Sequence, residues 1–186
     1  AEVPGVRSCR ERALAALQPS PRDLQHGLEL HRACVVVDAF GFAPAPMTSG
    51  MVRRINAAVA AGASAAETTR LLGDLRFSDP EALEQYVSAW EASGVTAIVQ
   101  NAGGMAGTGL SPYAVRFLDL FYRLQPRVTQ ARTPAEIRAA ARAGNRAIVF
   151  SFNSVPHGPL NTFEEAVAPL RTAWQAGVRM MHLAYN

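Results

Sequence analysis

The residues best placed to do chemistry in this sequence are Asp38, Phe40 and Phe42 on its first strong strand, Asn153 and His157 after a later one, and Tyr185 on the last. Alternation with period two puts Val36, Asp38, Phe40 and Phe42 on one strand face, so an acid and two rings project together. The Asp38 carboxylate can contact a metal or a substrate, or it can anchor a strand end through hydrogen bonds, since buried carboxylates must find partners. Phe40 and Phe42 can form a stacking wall for an aromatic or peptide ligand, or they can simply fill volume. His157, in an Asn-Ser-Val-Pro-His loop, suits a general base or a single-metal ligand, and equally a histidine bonded to backbone or water.

Other candidates carry less. His182 lies on the opposite strand face from Tyr185 and is expected to point at a helix layer, while His26 and His31 fall on an early helix. The run from Gly103 to Gly109 follows a strand and precedes a helix, where phosphate loops occur. Its spacing is not the dinucleotide fingerprint and it has no lysine, so it reads as a flexible strand-to-helix loop.

Composition closes several routes. All 18 basic residues are arginine, which leaves no lysine for a Schiff base, a phosphate loop or a general base. The net charge of +3 comes from arginines scattered among acids, without interleaved aromatics, so no nucleic-acid footprint is expected. No apolar run approaches the roughly 20 residues of a bilayer span, so no integral membrane segment is expected. Cys9 and Cys34 can pair only in an oxidising compartment, and an opening Ala-Glu-Val-Pro resembles a processed amino terminus, which favours a periplasmic or secreted protein.

The elements that must position the candidates alternate. A helical segment occupies residues 1–33, with an amphipathic stretch from about Arg22 to Arg32, and Cys34 to Phe40 reads as a strand. Helices are expected over Met51–Leu72 and from Pro80 to about Ala92, then a strand over Val95–Gln100. A helix from Pro112 to about Leu124, a short strand at Arg127–Gln130, a helix from Pro134 closed by Gly144, a strand over Arg146–Phe152, a helix closed by Gly177 and a last strand over Val178–Ala184 follow. Alternation of this kind predicts parallel strands joined by right-handed helical crossovers. In Arg146–Asn153 the bulky Ile148, Phe150 and Phe152 should pack on helices, leaving the smaller Ala147, Val149, Ser151 and Asn153 to face a barrel interior.

The fold class expected is α/β, a (β/α)8 barrel, with residues 34–186 forming its amino-terminal half or slightly more. Such barrels need around 250 residues and place their sites at the carboxyl ends of the strands. A barrel cut after Asn186 would expose an unpaired edge, so the rest of the barrel is expected from the same polypeptide or from a partner chain.

Three segments carry a family resemblance. Val-Val-Val-Asp-Ala-Phe-Gly-Phe resembles the opening strand of the membrane (renal) dipeptidase family, whose pattern there is Asp-x-His-x-Asp. Ala176 to Asn186 is similar to that family's Gly-Val-Arg-Tyr-Leu-Thr-Leu-Thr-His-Asn strand, and Thr133 to Asn153 resembles its helix followed by Gly-x-x-Ala-Ile-x-x-x-x-Glu-Gly. The likeness runs from about Leu30 to Asn186.

The resemblance implies a (β/α)8 barrel of the metal-dependent hydrolase type that holds two zinc ions and hydrolyses dipeptides, with a shared hydroxide whose pKa the metals lower. The family's His and Asp of the first strand correspond to Phe40 and Phe42, its bridging Glu to Asn153, and a substrate-positioning His to Tyr185. Rings offer no lone pair and an amide carries no charge to balance two dications, so no cofactor is expected from this chain although the family uses zinc. Asp38, Phe40, Phe42, Asn153, His157 and Tyr185 are then candidate substrate contacts, with no catalytic or metal-ligating residue assigned. The expected function is a dipeptidase-like protein that binds or processes a peptide-like or amino-acid-derived ligand through a degenerate zinc site. Two alternatives stay open: a non-catalytic protein acting through assembly, a homodimer included, and a single-zinc hydrolase whose ligands come from the other half of the barrel.

Overall fold

The computed structural model of the chain describes residues 4–41, 44–106, 109–155 and 162–183. Two helices come first, α1 (Pro4–Leu17) and α2 (Pro21–Ala33), the second capped by Ser20, whose Oγ accepts from Asp23 N at 3.1 Å. Strand β1 (Val37–Gly41) follows. The stretch expected as one helix over Met51–Leu72 is two, α3 (Ser49–Ala60) and α4 (Ala65–Ser78). Gly62, at φ 89°, turns the chain out of α3, and Ser64 opens α4 with a reciprocal capping box to Glu67. Asp79 ends α4 and caps α5 (Pro80–Ser93), and Gly94 in the left-handed region closes α5.

From there the chain runs through β2 (Ala97–Asn101), a short hairpin of β3 (Met105–Ala106) and β4 (Gly109–Leu110), α6 (Pro112–Leu124), β5 (Val128–Gln130), α7 (Pro134–Arg142), β6 (Arg146–Phe152), α8 (Phe163–Gln175) and β7 (Val178–Met181). Each helix start that the sequence signals has its cap. Ser111, Thr133 and Thr162 accept from the backbone N–H of the third helical residue of α6, α7 and α8.

All pairings of the main sheet are parallel, in the order β1-β2-β6. The far edge of β6 is shared: β5 pairs with Arg146–Ile148 and β7 with Phe150–Phe152. The path from β5 back to β6 runs against the direction of the other crossovers. A right-handed connection taken backwards must place its helix on the other face. Ile98, Ile148, Phe150 and Phe152 accordingly pack with Val87 and Trp90 of α5, Phe117, Leu120 and Phe121 of α6 and Ala173 of α8. Ala97, Ala147 and Val149 meet Ile137 and Ala140 of α7 on the reverse side.

The bulky and small residues of β6 thus divide as the alternation requires, but the small face is not simply a barrel interior. Helix α7 covers its amino-terminal half, because alanines at 97, 131, 140 and 147 let helix and sheet approach closely. The main core lies on the other side, where each fully buried large side chain contributes about 1.5–3 kcal/mol. Phe150 sits at its centre, with ring centroids 5.7 Å from Phe117 and 5.5 Å from Phe121. A smaller cluster of Met51, Leu75 and Ala82 joins α3, α4 and α5.

Among the described residues the sheet is open: β1 pairs only with β2, and β7 only with β6. Val37, Asp38, Ala39 and Phe40 are all exposed, and only Gly41 of β1 is buried. A side chain at Gly41 would overlap that of Ile98, which is why glycine stands at this close approach. No helix among the described residues is long and apolar enough to cross a membrane. Cys9 and Cys34 are both exposed free thiols.

Candidate functional site

The carboxyl ends of the parallel strands bring together the ends of β1 at Phe40 and Gly41, β2 at Asn101, β6 at Phe152 and β7 at Met181. Of the six residues singled out in the sequence, Asp38, Phe40 and Asn153 lie within the described residues; Phe42, His157 and Tyr185 lie outside them.

Asp38 is exposed, and its Oδ1 accepts from the Phe40 N–H at 2.9 Å, a local turn made by the acid with its own strand. In register Asp38 lies opposite Ile98 and Gly41 opposite Gln100, so β1 has one residue more than β2 between these pairs. That bulge breaks the period-two alternation on which a common face for Asp38 and Phe40 rests. Phe40 is 51% exposed. Asn153 lies just past the end of β6, half-buried, and its Oδ1 is buried without a hydrogen-bond partner among the described residues.

Neighbouring polar residues at this rim escaped the sequence reading. Gln100 is 4% exposed; its Nε2 donates to Asn101 O at 2.9 Å, while its Oε1 has no partner among the described residues. The Oδ1 of Asn101 accepts from Gly103 N at 2.9 Å, and Ser151 is buried on β6. The only signal for them is a Gln-Asn pair closing an otherwise apolar strand. The described part of the glycine run is bonded locally: Ser111 Oγ accepts from Ala114 N at 3.2 Å and Gly104 N at 3.5 Å, and Ser111 N donates to Gly104 O. The loop is thereby tied to the start of α6. Tyr113, in the first turn of that helix, packs edge-on against Phe77 and Phe117, and burial raises its phenol pKa. His182 follows β7, its N–H donating to Phe152 O at 3.1 Å.

These donors do not fit a binuclear zinc centre. A shared dication pair needs carboxylates and imidazoles in close array. This rim offers one exposed carboxylate already bonded to its own backbone, a phenyl ring and an amide, and no group of three His, Cys, Asp or Glu among the described residues can hold a metal ion.

No family model and no curated protein matches the chain. Among solved structures it is similar to an amidohydrolase from Pseudomonas aeruginosa, with 18% sequence identity and a TM-score of 0.48, over 86% of this chain and 36% of that one. The chain therefore spans little more than a third of that protein's length, and a likeness of this degree carries no argument about activity. Among the described residues the chain is an α/β fold on an open parallel sheet, with a polar, carboxylate-poor rim at the carboxyl ends of its strands.

Proposed function

We propose that this chain is the amino-terminal part of a (β/α)8 barrel of the membrane dipeptidase type. At the carboxyl ends of its strands it binds a peptide-like or amino-acid-derived ligand without a binuclear zinc centre. The observation that carries this reading is Asn153. Where the resembled family keeps a bridging carboxylate, this chain places an amide whose Oδ1 is buried and unanswered, an acceptor suited to a ligand N–H. Parallel strands β1, β2, β6 and β7, met in chain order across the sheet, support the barrel frame. The open edges support a second half that completes it, because an exposed edge of unpaired N–H and C=O groups is a template for a further strand. Phe40 supplies an apolar wall at the rim, while Asp38, Phe42, His157 and Tyr185 complete the proposed ligand contacts.

The test is metal content and ligand binding in the full-length protein purified without chelator. The reading expects less than stoichiometric zinc, saturable binding of dipeptides or amino-acid amides, and weakening of that binding by about tenfold in Asn153→Leu, the loss of one buried hydrogen bond. Stoichiometric zinc lost together with hydrolysis on chelation overturns it in favour of a working metallohydrolase. A second arm restores the family donors through Phe40→His, Phe42→Asp and Asn153→Glu together. If the triple variant acquires neither metal nor dipeptidase activity, the alignment of the site is wrong.

A further inference from the structure

The opposite rim of the sheet, at the amino ends of the strands, holds a cleft of about 400 Å³ between the ends of α2 and α7 and the starts of β1, β2 and β6. Its charged lining is of one sign: Arg32, Arg142 and Arg146, with His31 beside them and no carboxylate. Helices run antiparallel to the strands they connect, so α2, α5 and α7 all present their carboxyl ends here, each with a partial negative charge of about half a unit. That accounts for some of the positive charge. His31 Nε2 lies 2.9 Å from Ser93 O, and Arg146 donates to the carbonyls of Gly144 and Asn145 through Nη1 and of Glu91 through Nη2.

A surplus remains after this pairing. Neither Arg32 nor Arg142 has a hydrogen bond or ion pair among the described residues, and Arg146 Nε is buried without an acceptor. Some arginines elsewhere do meet acids: Arg116 with Asp74 at 2.7 Å, Arg123 with Asp119 at 2.6 Å, Arg127 with Glu84 and Glu91 at 2.7 and 3.1 Å. Thr96, buried at the start of β2, also lines the cleft, its Oγ1 accepting from Val36 N and its proton left to donate.

We propose that this cleft binds an oxyanion of the phosphate class, either inorganic phosphate or the phosphate group of a small molecule, held by Arg32 and Arg142. Guanidinium forks match tetrahedral oxyanions with paired donors, and a dianion answers both surplus charges at once. The site is on the far rim from the proposed ligand pocket and does not depend on that reading.

Cys34 lines the cleft and Cys9 does not, which gives the full chain a built-in probe and an internal control. Alkylation of both thiols by iodoacetamide, a neutral reagent, is followed by mass spectrometry against inorganic phosphate, glycerol phosphate and acetate, with ionic strength matched by sodium chloride. Saturable protection of Cys34 by phosphate, with Cys9 unaffected, supports the site. Stronger protection by glycerol phosphate than by inorganic phosphate assigns the anion to a phosphorylated small molecule, and the reverse to free phosphate. Arg32→Gln and Arg142→Gln should each weaken protection about tenfold, as the loss of one charge-assisted contact does, without altering the circular dichroism of the chain. The proposal fails if Cys34 reacts at the same rate with and without phosphate, if acetate protects as well as phosphate, or if protection survives in the double variant.

Discussion

Strands β6 and β1 are both short, apolar and parallel, yet they live in opposite circumstances. β6 is paired on both edges and covered on both faces, by α5, α6 and α8 on one side and α7 on the other. β1 is paired on one edge, interrupted by a bulge, and exposed along four of its five residues. Local preference for extended structure favours β6, with four β-branched or aromatic residues in seven against two in five for β1, but a scale that spans about 1 kcal/mol explains only part of the difference. What differs is the supply of neighbours: every helix after α5 packs on the middle of the sheet. The chain therefore folds around β2 and β6 and leaves β1, among the described residues, as an edge paired on one side only.

The sharpest way to break this comparison is to cut the same ring from both strands. Phe150→Ala, which empties the centre of the main core, should cost about 3–5 kcal/mol in urea denaturation. Phe40→Ala should cost less than about 1 kcal/mol in the same chain, because half of that ring is already in water. Equal losses would mean that β1 is as much part of the core as β6. Between these two lies the reverse-face helix. Thr133 Oγ1 accepts from Glu136 N at 3.3 Å, while the Glu136 carboxylate accepts from Thr133 N at 2.9 Å, so Thr133→Ala should cost about 1 kcal/mol. Faster hydrogen exchange should follow in α7, with the amides of β1 unchanged; spread of the effect into β1 would show that α7 supports both.

The smallest expected effect is electrostatic. Hydrogen bonds from Arg127 hold the Glu84 carboxyl below its ordinary range, with Ser88 adding to the effect. A carboxyl depressed on folding contributes stability above its unfolded pKa of about 4.3, and that contribution is lost as pH falls through the folded value. Because both partners are largely solvated the change is small, and it should appear as a fall in the urea midpoint below about pH 4 that Glu84→Gln reduces. Identical pH profiles for the two proteins would remove this pair from the stability of the α5–β5 junction.

Most of the frame is legible along the chain because its signals are local. Ser20, Ser111, Thr133 and Thr162 cap the helices they precede, Gly94 and Gly144 end the ones they follow, and the alternation in Arg146–Phe152 divides bulky from small as the two cores require. The break at Gly62 was obscured by alanines on both sides, which read as continuous helix. At the candidate site the residue types at 38, 40 and 153 were visible, but their facing was not: a single extra residue in β1 shifts the register, and nothing local announces it.

The sequence alone determined the residue types at 38, 40 and 153, an acid, a ring and an amide, and that none of the 18 basic residues of this chain is lysine. Only the tertiary structure decided that α7 crosses to the reverse face, that Asn153 Oδ1 is left without a donor, and that Arg32, Arg142 and Arg146 share a cleft. The reason is physical: composition and caps act over a few residues, whereas burial and charge surplus depend on which distant segments the sheet brings side by side.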